Sequence, residues 1–481
     1  MEAINIGTRR EVFWDDFIVD TEKTTADLRL GHPEKKEIVA VLNMPWEGDG
    51  MSYPHVVKVD GIYRMYFITT ISDLSKMVSK DGIHEEIVHT LSCIESEDGI
   101  RWHRPNLRNC KWVDTEENNI VIKDWLDNFY VFRDENPDCP EDEKYKGLAA
   151  REFGKDEQGK MYSRLWSYVS ADGIHFKMVG RIIETGQFDT LNTAHWNAEH
   201  KKYMCFYRRI IDGVRMVYYA ESTDFKNWSV EKPLTYSDGF NFPLYTNSVS
   251  PYYRAPHILS GFPTRYVERT QWTENYERLP GVESRKERMK IQPRYGLTTT
   301  DALFMTSRDG MNWHRFPEAF LTPGQERSNN WSYGDCYLSC GDSVETENED
   351  GNREISMYCG EGGWTKSPIS LRRYTIRLDG FASRYGKYDD GQRVVTKPII
   401  FDGSKLEMNF KTSAMGSVYV NILDEDGNVI SGFKGIEHFG DNTACPVCFE
   451  TGYDVSSLSG KTVRLEFILK DAHIYSFQFY K

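Results

Sequence analysis

Four carboxylates stand out because repeated segments of the sequence place them at matching points. Glu152 and Glu361 each follow the second strand of a repeat, so we expect both side chains in one pocket. Cleavage of a glycosidic bond uses two carboxyl groups about 5 to 9.5 Å apart, one protonated and one ionised. We therefore predict Glu152 and Glu361 as the catalytic pair. Asp189 and Asp49, which precede first strands, are predicted to tune the acid or to bind the sugar.

Polar and basic residues at the same level of the repeats are candidates for substrate binding. The predicted set is Glu47, Asn192, Arg208, Arg209, Arg265, Asn247 and Trp331. A guanidinium pairs in bidentate fashion with a carboxylate or a sulfate, so the arginines indicate an acidic sugar, a uronate or a sulfated one. The alternative is that each arginine only neutralises a neighbouring glutamate.

A second group of side chains shares one register when the first strands of the repeats are superposed. Its members are His55, His195, His257 and Asp335. Imidazole suits Zn, Fe, Ni or Mn better than Ca, so the group predicts one divalent metal ion where the repeats meet. No organic cofactor is predicted. The alternative is that each histidine forms hydrogen bonds within its own repeat.

The elements that must position these residues are the repeats themselves. An apolar strand runs into Ser-x-Asp-Gly-x-x-aromatic, with copies that end at Trp102, Phe176, Trp228 and Trp313 and a worn copy that ends at Phe381. Asp-Gly forms a tight turn, and the aromatic ring covers the hairpin that the turn closes. A second hairpin precedes each motif. Four antiparallel strands in five copies predict an all-β protein with a five-bladed β-propeller.

Three regions follow from where the repeat starts and stops. The predicted propeller spans residues 46–395 and is preceded by an N-terminal strand segment, residues 1–45. Residues 396–481 alternate apolar and polar side chains, which predicts a small β-sandwich. The segment VFWDDFIVD, residues 12–20, could close the ring or pack on the sandwich, and the sequence leaves both open.

Composition excludes several classes of partner. The chain has 59 Lys and Arg against 73 Asp and Glu, a net charge of −14, which opposes binding to nucleic acid or to anionic lipid. No segment predicts a signal peptide or a membrane span, so we expect a cytoplasmic protein, or a periplasmic or secreted one if a signal peptide was removed. Nine cysteines, with Cys445 and Cys448 as the sole C-x-x-C pair, predict reduced thiols. Two charged runs, 141–146 and 281–290, predict solvated loops.

The turn motifs and the number of blades resemble the five-bladed propeller glycoside hydrolases, namely the invertase and levanase families, the arabinanase and xylosidase families and their phosphorylase relatives. The whole chain also resembles a group of uncharacterised bacterial proteins labelled hydrolase-like, in segments that begin at Asn118 (NNIV), Phe132 (FRDENPDCP), Tyr145 (YKGL) and Leu406 (LEMNFKTSAMGSV).

This resemblance implies an exo-acting glycoside hydrolase that uses paired carboxylates in an axial pocket to degrade oligosaccharides or polysaccharides. Two other functions stay open. A metal-dependent carbohydrate lyase or hydrolase would use the histidines, and it would lose activity with a chelator. A non-catalytic propeller that binds sugar would be stabilised by its ligand without turnover. The sequence makes no prediction about the oligomeric state.

Overall fold

The computed structural model describes residues 2–481 apart from positions 49, 72–77, 80, 81, 84–87, 125, 127, 156, 158–160, 328, 364, 366, 367 and 390. The chain divides into two compact units. One is Pro33–Thr375, and the other combines Met1–His32 with Ile376–Lys481.

The unit Pro33–Thr375 contains five sheets of four or five strands, which confirms the predicted five-bladed β-propeller. Blade 1 consists of Gly50–Val59, Ile62–Ile71, Val88–Ser96, Ile120–Asp124 and Cys340–Gly341, and blade 2 consists of Tyr130–Arg133, Tyr145–Lys155, Met161–Ser170 and Lys177–Gly186. Blade 3 consists of Thr193–Asn197, Lys202–Ile211, Val214–Ser222 and Lys232–Pro233, and blade 4 consists of Val249–Tyr252, Ala255–Gly261, Met305–Ser307, Asn312–Arg315 and Thr235–Tyr236. Blade 5 consists of Val344–Glu347, Arg353–Glu361, Ile369–Arg377 and Glu34–Leu42. Two short pairs of strands, Thr264–Glu268 with Thr298–Ala302 and Val78–Ser79 with Gly82–Ile83, complete the unit.

The repeated motif builds the same turn in four blades. At Asp309, the carboxylate Oδ1 accepts the backbone N–H groups of Met311 and Asn312 at 2.9 and 2.8 Å. Gly310 takes a positive φ of 77°, which glycine adopts at little cost. The indole of Trp313 covers the turn and donates to the Gly310 carbonyl at 3.0 Å. These aspartates therefore shape the backbone, as the motif predicts.

We expect these turns to make stability fall in acid. The pKa of each of the four turn aspartates is lowered. At Asp98, Asp172 and Asp309 burial raises the pKa, but the hydrogen bonds that the carboxylate accepts lower it by more. At Asp224 these hydrogen bonds are the largest cause. A carboxylate whose pKa is lower in the folded than in the unfolded state stabilises the fold fully at a pH above its unfolded pKa of about 3.9. This contribution is lost as the pH falls below that value. The melting temperature, measured from pH 7 to pH 3, will therefore decrease at pH values below about 4.

The matched variants for this prediction are Asp309→Asn and Asp350→Asn. Asp350 is an exposed carboxylate in another hairpin turn. We expect Asp309→Asn to flatten the acid limb and Asp350→Asn to leave it unchanged. The same limb in wild type and Asp309→Asn would contradict the assignment.

The ring is closed by a strand that the sequence did not single out. Glu34–Leu42 is the fourth strand of blade 5 and runs antiparallel to Ile369–Arg377. VFWDDFIVD belongs to the other unit, where Glu11–Val12 pairs with Thr462–Tyr480. The propeller therefore starts earlier than the predicted residue 46.

The propeller also ends earlier than the predicted residue 395. The worn fifth motif does not turn within a blade, because the chain continues from it into Ala382–Gly386, a strand of the other unit. Its aspartate, Asp379, accepts a hydrogen bond from the Ser476 hydroxyl at 2.6 Å. The motif at Asp379 thus belongs to the terminal unit.

The terminal unit is built on two long antiparallel strands and has a continuous apolar core. Within that core, Phe13 packs against Phe467 and Phe477, with ring centroids 5.6 and 5.7 Å apart. Its strands are Ile4–Gly7, Glu11–Val12, Asp27–Leu30, Ala382–Gly386, Gln392–Val395, Ile399–Phe401, Lys405–Leu423, Asp441–Pro446 and Thr462–Tyr480. They join in one hydrogen-bonded sheet, and the β-sandwich stays a prediction.

In the described residues, the helices are few and short. The α-helices there are Val282–Ile291 and Arg294–Leu297, and the 3₁₀ helices are Glu141–Glu143, Glu274–Glu277 and Ser456–Leu458. The charged run 281–290 is therefore mostly helical, whereas a solvated loop was predicted. Within the described ranges, no helix is long and apolar enough to cross a membrane.

Candidate active site

A pocket of about 400 Å³ opens between blade 1, blade 5 and the segments around blade 4. Its lining residues are Met51, Ser52, Tyr53, Pro54, Thr70, His89, Tyr245, Tyr295, Tyr333, Gly334, Asp335, Tyr337, Gly360, Gly363 and Ile369. The pocket therefore combines aromatic rings with few ionisable groups, as sites for small ligands do.

Asp335 is the carboxyl group on the wall of this pocket. Its side chain accepts the backbone N–H and the hydroxyl of Ser332, both at 2.9 Å, and Thr300 Oγ1 donates to its backbone carbonyl at 2.7 Å. Burial raises the pKa of Asp335 to about 7 against the Ser332 hydrogen bonds, and the nearby Glu361 charge adds to the rise. A carboxyl group that keeps its proton near neutral pH can act as a general acid.

Tyrosine rings line the same pocket as Asp335. Tyr337 stacks on Tyr53 and on Tyr245, with centroids 6.1 and 5.6 Å apart, and Tyr295 meets Tyr333 edge to face at 5.6 Å. Burial raises the pKa of Tyr333 and Tyr337, so their hydroxyls stay neutral hydrogen-bond donors. A flat apolar face with a polar edge matches a sugar ring, which has an apolar face and a rim of hydroxyls.

Glu361, one member of the predicted pair, lies behind the pocket wall and is buried. Arg372 donates to its two oxygens at 3.2 and 3.0 Å, Arg327 donates to Oε1 at 3.0 Å, and Lys35 Nζ lies 3.5 Å away. Its neighbour Gly360 lines the pocket, whereas Glu361 does not. Glu361 therefore acts on the pocket through its charge, which raises the pKa of Asp335.

Glu152, the other member of the predicted pair, is exposed on blade 2. Its carboxylate accepts Arg164 Nη1 at 3.0 Å, and its φ is 53°. The strand register shifts between Arg151 and Gly154. Such a bulge turns a side chain away from the face that the regular repeat would give it. Glu152 does not line the pocket and shares no partner with Glu361 among the described residues, so the structure does not bring the pair together.

The two further predicted carboxylates are not in the pocket wall either. Asp189 is exposed and pairs with Arg208. Asp49 lies outside the described residues. Arg208 itself is buried, with its guanidinium 5.2 Å from the ring centroid of Tyr245, so it supports a pocket ring from behind.

The other arginines predicted to bind an acidic substrate have carboxylates of their own. Arg209 forms hydrogen bonds to both oxygens of Glu231, at 2.5 to 2.9 Å. Arg265 Nε and Nη2 donate to Asp301 at 2.9 and 2.6 Å. With the pair formed by Arg208, all three guanidiniums are neutralised by the protein, which is the alternative that the sequence left open.

The remaining predicted binding residues stabilise local structure. Glu47 is buried. Its carboxylate accepts hydrogen bonds from the Arg104 guanidinium at 2.7 and 2.8 Å and from the Met44 N–H at 2.9 Å. Trp331 donates to the Gly324 carbonyl at 2.9 Å. These contacts satisfy the groups that a ligand would need.

The two predicted asparagines hold loops before the first strands of blades 3 and 4. Asn192 donates to the carbonyls of Phe188 and Thr190 at 3.0 and 2.9 Å. Asn247 donates to the carbonyl of Leu191 at 3.0 Å. Both side chains are buried. Their role in the structure is to fix the backbone near the pocket.

The predicted metal ligands do not form a ligand set. His55 uses both ring nitrogens, because Nδ1 bonds the Tyr53 carbonyl and Nε2 accepts the Val131 N–H, each at 2.9 Å. His195 stacks on Phe206 within blade 3, with ring centroids 5.8 Å apart. Across the described ranges, no group of three His, Cys, Asp or Glu side chains could hold a metal ion. His257 and Asp335, the other predicted ligands, are both within those ranges.

The buried histidines predict a loss of stability in mild acid. Burial lowers the pKa of His195 to about 3 and that of His55 to about 4. The neutral histidines stabilise the fold fully at a pH above their unfolded pKa of about 6.5. This contribution is lost as the pH falls from there towards their folded-state pKa values. Each histidine will contribute a slope of up to about 1.4 kcal/mol per pH unit.

Urea unfolding at pH 7 and pH 5 measures this slope. We expect His195→Leu to reduce the loss between the two pH values, because no proton can bind there. The control is His103→Gln, which replaces an exposed histidine. Equal losses in wild type and His195→Leu would contradict the prediction.

Two tyrosines of the pocket wall lie close to Asp335 in the sequence. In SYGDCY, Tyr333 and Tyr337 flank Asp335 at two residues on either side. All three residues line the pocket. The rings of Tyr53, Tyr245 and Tyr295 come from distant segments and had no comparable sign.

No family model matches the sequence, and no curated protein matches it. Similar solved structures include an N-acetylgalactosamine deacetylase from F. plautii in complex with blood group B trisaccharide, with 11% identity, coverage of 73% of this chain and 96% of that chain, and a TM-score of 0.44. Another comes from work on the GH130 family of mannoside phosphorylases, with 12% identity, coverage of 73% and 96%, and a TM-score of 0.39. A family 117 glycoside hydrolase of Zobellia galactanivorans has 9% identity, coverage of 74% and 92%, and a TM-score of 0.38. At such values none of them assigns a role to a residue of this chain.

Proposed function

We propose that the protein is a glycoside hydrolase that cleaves the terminal sugar of its substrate in the pocket, with Asp335 as the general acid. The observation that carries the proposal is Asp335 itself, a carboxyl group on the pocket wall with a pKa of about 7 among tyrosine rings. A metal-dependent reaction has less support, because His55 already uses both of its nitrogens.

In the proposed reaction, Asp335 gives its proton to the oxygen of the leaving group as the bond from that oxygen to the anomeric carbon breaks. Water adds to the anomeric carbon and loses a proton, which restores the acid form of Asp335, so the products are a free sugar and an alcohol. Glu361 is a positioning residue whose charge adds to burial, the main cause, in keeping the proton on Asp335 near neutral pH. Tyrosine hydroxyls and rings orient the sugar.

The size of the pocket supports action at a chain end. Its volume of about 400 Å³ lies near the lower end of the roughly 300 to 1,000 Å³ typical of ligand sites. Such a volume suits a short part of a saccharide better than a long chain. Release of a monosaccharide, rather than of longer fragments, is the expected product pattern.

The proposal is tested by a screen of arylglycosides and oligosaccharides with wild type and Asp335→Asn. Hydrolysis by wild type, lost in the variant, supports it. A sugar that stabilises both proteins without turnover by either would instead indicate the non-catalytic sugar-binding propeller.

The tyrosine wall gives a separate prediction for substrate binding. Tyr295→Leu removes a ring that lines the pocket, so we expect KM to rise roughly three- to tenfold with little change in kcat. The control is Tyr388→Leu, at an exposed ring of the terminal unit. Steady-state kinetics measure both constants, and an unchanged KM in Tyr295→Leu would count against sugar stacking at this wall.

A further inference from the structure

A second cavity, of about 460 Å³, opens at the other end of the first strands of the blades. Lys58, Arg133 and Tyr253 line it, and they lie at or next to the C-terminal ends of the first strands of blades 1, 2 and 4. Pro54, in the wall of the pocket of Asp335, precedes Lys58 by four residues, which is about 13 Å along a strand. Among the described residues the two cavities have no lining residue in common, so they are separate sites.

Two ion pairs form part of the wall of this second cavity. Arg133 Nε lies 3.4 Å from Glu135 Oε1, and Arg353 pairs with Glu345. The side chains of Arg133 and Glu135 keep 49% and 69% of their surface exposed, so a ligand can reach both. Each pair presents hydrogen-bond donors beside acceptors. Two neighbouring hydroxyls of a sugar fit such a pair, because one accepts from the guanidinium while the other donates to the carboxylate.

The other charged groups of the second cavity restrict the chemistry of its ligand. With Lys58, Asp342 and Glu347, the lining has three cations and four carboxylates, which disfavours an anionic ligand. In the part of the chain that the structure describes, no group of three His, Cys, Asp or Glu side chains could hold a metal ion. A neutral ligand with several hydroxyls can use the cations as donors and the carboxylates as acceptors, so this class of ligand fits best.

Tyr253 adds an aromatic ring to the wall of the second cavity. The residue keeps 38% of its surface exposed. Its hydroxyl donates to the Glu345 carboxylate, and its ring meets that of Tyr252 edge to face, with centroids 5.4 Å apart. These contacts hold the ring in place. An exposed ring that is already held can stack on the apolar face of a sugar at a small cost in entropy.

We propose that the second cavity binds a neutral saccharide. Its volume lies within the roughly 300 to 1,000 Å³ typical of ligand sites, and its wall combines an aromatic ring with paired donors and acceptors. The inference goes beyond the proposed function, because it concerns binding at a separate place on the propeller and requires no cleavage of a bond.

Calorimetry of the full chain with neutral saccharides tests the inference. The probes are glucose, galactose, mannose, cellobiose and lactose, with glucosamine and glucuronic acid as the cationic and anionic counterparts of glucose. We expect at least one neutral probe to bind with a Kd of about 10 mM or lower. Tyr253→Leu will weaken this binding roughly three- to tenfold, because a stacking ring is lost. Arg133→Gln will weaken it by roughly threefold or more, because a charged donor to the sugar is lost.

Two matched variants serve as controls. Tyr388→Leu removes an exposed ring of the terminal unit, and Arg181→Gln removes an exposed guanidinium of blade 2 that pairs with Glu184. Both variants will bind the probe as wild type does.

Tyr295→Leu distinguishes the two cavities, because Tyr295 lines the pocket of Asp335 and does not line the second cavity. A sugar that binds in both places will give two binding components. Tyr253→Leu will then weaken one component and Tyr295→Leu the other.

The inference is overturned if no neutral probe binds in this range, or if the bound probe responds to Tyr295→Leu and not to Tyr253→Leu. It is also overturned if the two control variants weaken binding as much as Tyr253→Leu and Arg133→Gln do. Binding of glucosamine alone or of glucuronic acid alone would show a charged ligand and would overturn it as well.

Failure of this inference is distinct from failure of the proposed function. Saccharide binding that depends on Tyr253, without hydrolysis of any glycoside, would support the inference and remove the enzyme. Hydrolysis that depends on Asp335, without any binding that depends on Tyr253, would do the reverse.

Discussion

Asp335→Asn is expected to lower kcat by roughly 10²- to 10⁴-fold, because an amide has no proton to give to the leaving group. Folding will be preserved, since the amide keeps the size of the side chain and needs no charge in its buried position. The control is Asp134→Asn, at a buried aspartate outside the pocket that accepts the Tyr203 hydroxyl at 2.8 Å. Steady-state kinetics on any glycoside that wild type cleaves measure the effect.

The pH dependence of wild type gives a second view of the same residue. The acid form of Asp335 is lost as the pH rises through its pKa of about 7, so kcat will fall about tenfold per pH unit above it. Turnover by Asp335→Asn at the wild-type rate, or a wild-type rate that is flat from pH 7 to pH 9, would contradict the assignment.

Glu361→Gln is expected to destabilise the protein by about 3 to 5 kcal/mol, because Arg372, Arg327 and Lys35 lose their shared carboxylate. It will also lower the pKa of Asp335, since the Glu361 charge helps to raise it, and the alkaline limb of kcat will move to lower pH. Urea unfolding and a pH profile of kcat measure the two effects.

Glu152→Gln is the matched comparison. Its ion pair with Arg164 is exposed, so the variant will lose no more than about 1 kcal/mol and will keep its turnover. If Glu152→Gln lost turnover and Glu361→Gln kept wild-type stability, the original pairing of these two carboxylates would have to be restored.

The propeller could be predicted because the residues that form each of its turns are close together in the sequence. Three of the four turns depend on a serine, an aspartate and a glycine within four residues, as at Ser307, Asp309 and Gly310, and the turn in blade 3 has Phe225 at a positive φ in place of the glycine. Ring closure could not be predicted in the same way. Glu34–Leu42 has a half-exposed, charged sequence, and its partner Ile369–Arg377 is more than 300 residues away.

The site could be predicted only in part, because burial decides its chemistry. Asp335 was found by its register, but the burial that raises its pKa exists only in the folded protein. Glu152 was placed by assuming that every repeat keeps one register, and the bulge at Arg151 breaks that assumption. The arginines were assigned to a ligand because the sequence does not show which carboxylate each one meets, such as Asp301 for Arg265, 36 residues further along the chain.

The strand that closes blade 5 is synthesised long before the strand with which it pairs. Glu34–Leu42 leaves the ribosome before any blade exists, and Ile369–Arg377 follows it by more than 300 residues. At roughly 5 to 20 residues per second, the early strand waits on the order of 15 to 65 s without its partner. Its unpaired edge could recruit other nascent chains during that time. The charges of Glu34, Lys35, Lys36 and Glu37 protect this edge, because charged side chains discourage strand addition until blade 5 arrives.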